Sequence, residues 1–311
     1  MVWQSGTLNS QNHMLATYTW ESASPKAVIL IAHGMAEHAA RYDRVARFLC
    51  EHRYTVRAHD HRGHGQSISH GDQGHLGDEG GWDLCINDLH QHIQTIQELY
   101  PDLPIVLFGH SMGSLMTQEY IIRHGDQLQG AILSGTSGPP DLLAKIGVYI
   151  TALERIRIGK EGRSSLLNKL SFDGFNQRFK PCRTDFDWLS RDHAEVDQYV
   201  ADPLCGFHCT TQFWLDLLCA LREMSRRERK AQIPKNLALF LFSGAADPVG
   251  KNTRGVRKLI ETYQDCGLTN IHSIFYPGGR HEMLNETCRD QVHSDILTWL
   301  DTQPWRADHG T

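Results

Sequence analysis

The sequence predicts an α/β protein: a mostly parallel, twisted sheet with helices on both faces and one helical segment inserted into it. Three observations predict this. Short apolar runs alternate with amphipathic stretches from residue 27 onward, as a layered strand–helix architecture requires. The alternation stops between residues 139 and 236, where amphipathic patterns continue without a convincing strand, and resumes at 237. The 311 residues are 40% hydrophobic and 22% charged, the make-up of a globular protein large enough for one domain with a substantial insertion. The expected division is a first core part (1–138), a helical cap (139–236) and a second core part (237–311).

The elements follow in order. "MLATYTW" (Met14 to Trp20) belongs to an antiparallel edge hairpin. "AVILIAHG" (Ala27 to Gly34) is a continuous apolar run ending in glycine, the pattern of a strand buried on both faces. Tyr42, Val45, Ala46 and Leu49 recur at helical spacing. "YTVRAHD" (Tyr54 to Asp60) is a strand, closed by the glycine-rich "HRGHGQS". Trp82, Cys85, Ile86, Leu89, Ile93 and Ile96 lie on one helix face. "PIVLFGH" is a strand, "SLMTQEYIIRHG" a helix ending in glycine, and "LQGAILSGTS" a strand. After the helical insertion come the strand "LALFLFSG", a helix near Val256 to Tyr263, the strand "IHSIFYPGG" and a last helix carrying Val292, Ile296, Trp299 and Leu300.

Bulk properties exclude several classes. A net charge of -5 gives no reason to expect nucleic acid. The basic run "REMSRRERK" (Arg222 to Lys230) is expected to be a solvated helix face, with anionic lipid as the sharper alternative. The first residues have neither a basic nor an apolar leader region, and no stretch is long and apolar enough to span a membrane. Eight scattered cysteines without a C-x-x-C pair fit reduced thiols in a cytoplasmic protein. Cys205 and Cys209 near His208 lack a second ligand pair, so no metal is expected, and no organic cofactor.

The chemistry concentrates in "GHSMG" (Gly109 to Gly113). That pattern alone would arise by chance in roughly one chain of this length in ten. Here the serine follows an apolar strand and opens a helix, as a nucleophile elbow requires. Gly109 and Gly113 let strand and helix pass closely, and the helix N-terminus beneath Ser111 favours an oxyanion. A serine hydroxyl needs a base. In this arrangement an acid and then a histidine follow the serine along the chain. Asp247, in "AADPVG", and His281, in "RHEMLNE", each follow a strand and reach the carboxyl edge of the sheet. His281 is expected to act as base and then acid, with Asp247 fixing its tautomer. The oxyanion hole is expected from the backbone N–H groups of Met112 and Met35, the latter in the loop "HGMAEH". His33 is expected to fix that loop, and "DHRGHGQS" with His64 and Ser67 to brace it.

The sequence resembles the monoacylglycerol lipase and lysophospholipase branch of the α/β-hydrolases. "HGMAEHAARYDRVARFL", "AHDHRGHGQS", "GHSMGS", "GAADPVG" and "RHEMLNE" stand in family order. In the cap, "LSRDHAEVDQYVADPLCG" and "SRRERKAQIPKNLALFLFSGAADP" resemble the corresponding family segments. The resemblance implies a triad of Ser111, Asp247 and His281. It also sets Glu37 and Arg41 near the polar-head end of the pocket, with a loop-stabilising ion pair as the alternative. "HGMAEH" departs from the animal enzymes, where small residues usually stand at the positions of Met35 and Ala36.

The expected substrate is a single-chain lipid ester. "DLLAKIGVYITALERI" (Asp141 to Ile156) carries Leu142, Leu143, Ile146, Tyr149, Ile150 and Leu153 around much of its circumference. Such a helix can pack on the sheet, line an acyl tunnel or touch a membrane or micelle. Phe172, Phe175 and Phe179, with "FWLDLL" (Phe213 to Leu218), add apolar surface; each buried methylene contributes roughly 0.8 kcal/mol. One rival reading is a serine aminopeptidase or prolyl iminopeptidase that holds an α-amino group on Asp192 or Glu195. Another is a non-catalytic binding protein of the same fold, which would normally lack one of the three triad residue types.

Overall fold

The run Ala27–Ala32 is apolar and buried at every position, so it can only be an inner strand. In the computed structural model of the protein, which describes residues 3–69, 71–140 and 142–304, it lies inside an eight-stranded sheet. The elements are β1 (Gln4–Ser10), β2 (His13–Trp20), β3 (Ala27–Ala32), α1 (Asp43–Glu51), β4 (Tyr54–His59), α2 (Gly81–Leu99), β5 (Ile105–His110), α3 (Met112–His124) and β6 (Gly130–Ser134). Then come α4 (Leu142–Ile158), α5 (Ser165–Asn176), α6 (His193–Ala201), α7 (Thr211–Met224), α8 (Arg227–Lys230), β7 (Ala238–Gly244), α9 (Arg254–Asp265), β8 (Ile271–Tyr276) and α10 (Arg289–Thr302).

The strand order is β1-β2-β4-β3-β5-β6-β7-β8. β1 and β2 form the expected antiparallel hairpin at one edge, and β2 pairs antiparallel with β4. All the other pairs are parallel. Period-two alternation divides the inner strands between two cores. Val28, Leu30, Leu107, Leu133 and Leu239 pack with Ile86 of α2, Met116 of α3 and Leu259 of α9. Ile29, Ile31, Phe108, Ile132 and Phe240 pack with Leu49 of α1 and Ile296 of α10. A fully buried side chain of this kind stabilises the fold by about 1.5–3 kcal/mol.

Between β6 and β7 the described residues form helices and no strand. Ser164, Asp192 and Thr210 cap α5, α6 and α7 by accepting from the N–H groups of Leu167, Ala194 and Phe213. The helix α7 does not stand apart: Phe213, Trp214 and Leu217 join the core under α2 and α3. The basic run departs from a purely solvated face. Arg229 pairs with the buried Glu119, and the Lys230 ammonium turns inward to the Met224 carbonyl. On α4, Ile146, Tyr149, Leu153 and Ile156 are exposed along one face; Asp141 and the side chains of Leu142 and Leu143 lie outside the described residues. No described helix is long and apolar enough to cross a membrane.

Candidate active site

Ser111 lies between the last residue of β5 and the first of α3, at φ 51° and ψ -116°. This backbone region costs a non-glycine residue on the order of 1–3 kcal/mol. Its surroundings hold it there. The Ser111 N–H donates to the Ser134 carbonyl of β6 at 2.9 Å, and the Ser111 carbonyl accepts from the N–H groups of Ser114 and Leu115. A side chain at Gly109 would come within 2.2 Å of the Gly113 carbonyl oxygen, and one at Gly113 within 2.0 Å of the Ala32 carbonyl oxygen. Only glycine allows β3, β5 and α3 to cross this closely.

Asp247 follows β7 and is fully buried. Its Oδ1 accepts the Val249 N–H at 2.9 Å, and its Oδ2 accepts the Ser243 hydroxyl at 3.3 Å. Both oxygens stand 3.1 Å from Nδ1 of His281, which follows β8. An ionised carboxylate only accepts, so Nδ1 carries the proton and Nε2 keeps its lone pair. Burial works to lower the His281 pKa, but the charge and hydrogen bond of Asp247 outweigh it and hold the pKa above 6.5. Gly135, at φ 56°, leaves room for the imidazole: a side chain there would meet His281 Cε1 at 3.0 Å.

The loop after β3 is tied down from several sides. The Glu37 carboxylate accepts the Gly34 N–H at 2.5 Å and the Tyr42 hydroxyl at 2.8 Å, and pairs with Arg41. Arg41 also makes a two-pronged pair with Glu282 at 2.8 and 2.7 Å. Burial raises the Glu282 pKa, but Arg41 overrides it and brings it down to about 2. His33 accepts the His61 N–H on Nε2 and meets the Gly34 carbonyl through Nδ1. Asp60 accepts the Ala39 N–H, and Ser67 donates to the Asp60 carbonyl. The segment after β4 therefore braces this loop, as the sequence suggested. Among the described residues, neither the Met35 nor the Met112 N–H donates to a protein acceptor outside regular helix or strand bonds. Met112 is the first residue of α3, so it has no partner within that helix either.

Ser111 and His281 open onto a cavity of about 460 Å³, within the range of small-molecule sites. Met35, Phe172, Phe186, Trp188, Leu189 and Phe207 supply its apolar wall. The exposed Gln177, Lys180 and Asp185 border its mouth. Glu37 reaches the cavity; Arg41 is not among its lining residues, because its guanidinium is spent on two carboxylates. Of the expected aromatic surface, only Phe172 lines the cavity. Phe175 packs behind it on Trp188, Phe179 lies under Arg280, and the 213–218 cluster belongs to the α7 side. Asp192 caps α6 and pairs with Arg289, while Glu195 pairs with Arg44; neither lines the cavity.

Sequence reasoning missed Trp188, Tyr199, Glu282 and Gly135. The Trp188 ring centroid is 4.9 Å from that of His281, and the Tyr199 hydroxyl donates to the Ala36 carbonyl at 2.9 Å. Glu282 was open to notice as the neighbour of His281. The other three join the site only through tertiary packing.

Residues 23–288 match the Hydrolase_4 family, described as serine aminopeptidase, S33. The monoglyceride lipase of Rattus norvegicus is 31% identical over 297 residues, covering 94% of this chain and 88% of the relative. The monoacylglycerol lipase of Mycolicibacterium smegmatis is 29% identical over 289 residues, covering 89% and 88%. Among solved structures, a thermostable carboxyl esterase from Bacillus coagulans in complex with glycerol superposes with a TM-score of 0.89 at 28% identity, covering 97% of this chain and 98% of that one. The chain is thus a member of the serine aminopeptidase S33 and monoglyceride lipase family of α/β-hydrolases.

Proposed function

We propose that the protein is a serine hydrolase that cleaves the carboxylic ester of single-chain lipids. Ser111 is the nucleophile, His281 the base and then the acid, and Asp247 the residue that orients and charges the imidazole. The N–H groups of Met35 and Met112 form the oxyanion hole. One observation carries the reading: Nδ1 of His281 meets both oxygens of a buried Asp247, beside a cavity shared with a serine on a strained turn. Nε2 takes the Ser111 proton as Oγ bonds to the ester carbon, and the carbonyl oxygen gains the charge that the two N–H groups meet. Collapse of this intermediate breaks the ester C–O bond, and His281 returns the proton to the leaving alcohol. Water then attacks the acyl-enzyme with the same base and frees the acid.

The substrate class follows from the cavity wall and the relatives. Apolar and aromatic side chains border the space beside Ser111, so an alkyl chain gains binding energy there at roughly 0.8 kcal/mol per methylene. Residues 139–236 act as the cap over this space. The exposed face of Ile146, Tyr149, Leu153 and Ile156 on α4 rests on a membrane or micelle during turnover. The aminopeptidase reading finds less support. Glu37 and Glu282 are already engaged by Arg41, and the third cavity acid, Asp185, is exposed at the mouth.

A fluorophosphonate probe labels the protein, and Ser111→Ala abolishes the labelling. Hydrolysis of glycerol and lysophosphatidylcholine esters, from acetyl to palmitoyl, peaks at the chain length the cavity accommodates. Cleavage of aminoacyl amides with no turnover of any ester overturns the assignment.

A further inference from the structure

Away from the triad, among the described residues, a group of three possible metal-donor atoms draws side chains from two distant segments. His38 ends the loop that carries Met35, and Asp202 and Cys205 lie in the turn after α6. His38 Nε2 stands 2.8 Å from Asp202 Oδ2. One donor atom each from His38, Asp202 and Cys205 falls within 4.8 Å of the others. We propose that these three side chains bind a divalent cation of borderline softness, with Zn²⁺ as the type, and leave a fourth position to water.

The donor chemistry suits such an ion. Imidazole, carboxylate and thiolate are the ligands that tetrahedral zinc sites combine. At bond lengths of about 2.0–2.3 Å, tetrahedral ligand atoms stand roughly 3.4–3.6 Å apart. The His38–Asp202 contact therefore opens by about 0.6 Å, and the Cys205 sulfur moves in by about 1.4 Å at most, within reach of side-chain rotation. The remaining atoms are already held. Asp202 Oδ1 accepts the Leu204 N–H at 2.8 Å, leaving Oδ2 to face His38. The Cys205 N–H donates to the Asp202 carbonyl at 3.0 Å, and the Gly206 N–H to the Ala36 carbonyl at 2.9 Å. No hydrogen bond engages the Cys205 sulfur among the described residues. The nearby Arg41 does not repel a cation, because Glu37 and Glu282 together outweigh its charge. On binding, the Cys205 S–H bond breaks as the S–metal bond forms, and the proton leaves to solvent.

Linear spacing hides this set. Cys209, which spacing pairs with Cys205, is buried against Gly74 instead. The ion would fasten the loop carrying Met35 to the segment after α6, a tie independent of whether Ser111 is the nucleophile.

The full chain, reduced and freed of metal, is titrated with Zn²⁺ and with Co²⁺, reading bound equivalents, melting temperature and cobalt absorption. The expected result is one equivalent at micromolar affinity or better, a raised melting temperature, and a thiolate-to-cobalt charge-transfer band. Cys205→Ser abolishes the band and weakens binding by roughly tenfold or more, and His38→Gln weakens binding similarly; Cys209→Ser leaves both unchanged. Ser111→Ala binds as the unaltered chain does, which separates this result from the fate of the hydrolase reading. Absence of one-equivalent binding overturns the proposal, as does a band that survives Cys205→Ser or disappears in Cys209→Ser.

Discussion

Replacing Asp247 by asparagine keeps the shape of the buried site and changes two things about His281. The first is charge. Burial depresses the imidazole pKa, and the Asp247 carboxylate is the largest influence lifting it above 6.5. The second is the tautomer. The Val249 N–H points at Oδ1 and the Ser243 hydroxyl lies at Oδ2. An asparagine therefore sets its oxygen toward Val249 and its NH₂ at the Oδ2 position, 3.1 Å from Nδ1. The NH₂ at Oδ2 donates to Nδ1 in competition with the oxygen retained at Oδ1, so the Nδ1–H tautomer loses its preference and the fraction of rings with a free Nε2 to accept the serine proton falls. The expected loss in kcat/KM for a short p-nitrophenyl ester is about 10³–10⁴-fold, or roughly 4–5.5 kcal/mol of transition-state stabilisation. The acid limb of the profile reports His281 in the free enzyme. It lies above pH 6.5 in the unaltered protein and moves to lower pH in Asp247→Asn. A drop of less than tenfold, or an acid limb that does not move, refutes the roles given to both residues.

Other outcomes follow from single observations. Gly113→Ala drives a methyl group into the Ala32 carbonyl; it lowers stability by about 3 kcal/mol or more, read as a fall in melting temperature. Burial lowers the pKa values of His59, His64, His110 and His293 from 6.5 to about 4. The unfolded chain thus takes up these protons first as pH falls. Stability is full above pH 6.5 and is lost toward pH 4 by about 3 kcal/mol per histidine, and a urea midpoint that stays level over that interval contradicts this. Arg41→Met strands Glu37 and Glu282 in the interior and costs about 3–5 kcal/mol of stability, whereas a headgroup contact alone would raise KM and leave the melting temperature unchanged. Leu153→Glu together with Ile156→Glu slows hydrolysis of vesicle-borne esters severalfold and leaves a soluble short-chain ester unaffected.

The sequence revealed most of the sheet and the three proposed catalytic side chains, because both depend on local signals. Val28 to Ala32 and Leu239 to Phe242 sit in strands covered on both faces, so their apolar runs survive as runs. Ser111 and Asp247 each follow such a run and His281 follows the half-exposed edge strand β8, and their order along the chain gives their place on the edge. What stayed hidden depends on partners far away in the chain. The sequence leaves Arg41 between a headgroup contact and a loop-stabilising ion pair, and it is Glu282, 241 positions on, that occupies it. Phe213 and Trp214 looked like cavity wall, yet the helix they share turns them onto the α2 side. No spacing rule could bring His38 to Cys205, since they meet only where the turn after α6 packs against the loop after β3.

The helical segment between β6 and β7 does more than wall the cavity. The His281 N–H donates to the Trp188 carbonyl at 3.4 Å, and the Glu282 N–H to the Leu189 carbonyl at 2.8 Å. Arg280 reaches the carbonyls of Asp187 and Ser190, and Arg191 pairs with the buried Glu286 at 2.9 Å. On the opposite wall, Tyr199 and Gly206 hold the Ala36 carbonyl beside Met35. One segment, 187–206, therefore braces both the proposed base and the proposed oxyanion loop. Lifting it as a lid would break these hydrogen bonds and disturb the catalytic geometry each time substrate entered. Under the proposed function, substrate enters at lower cost on the α4–α5 side, where the apolar face of α4 lies open and Phe172 is the aromatic residue of α5 that reaches the cavity. The contrast is physical: the part of this segment that touches the catalytic loops is fixed by hydrogen bonds and ion pairs, whereas α4 turns Ile146, Tyr149, Leu153 and Ile156 to solvent.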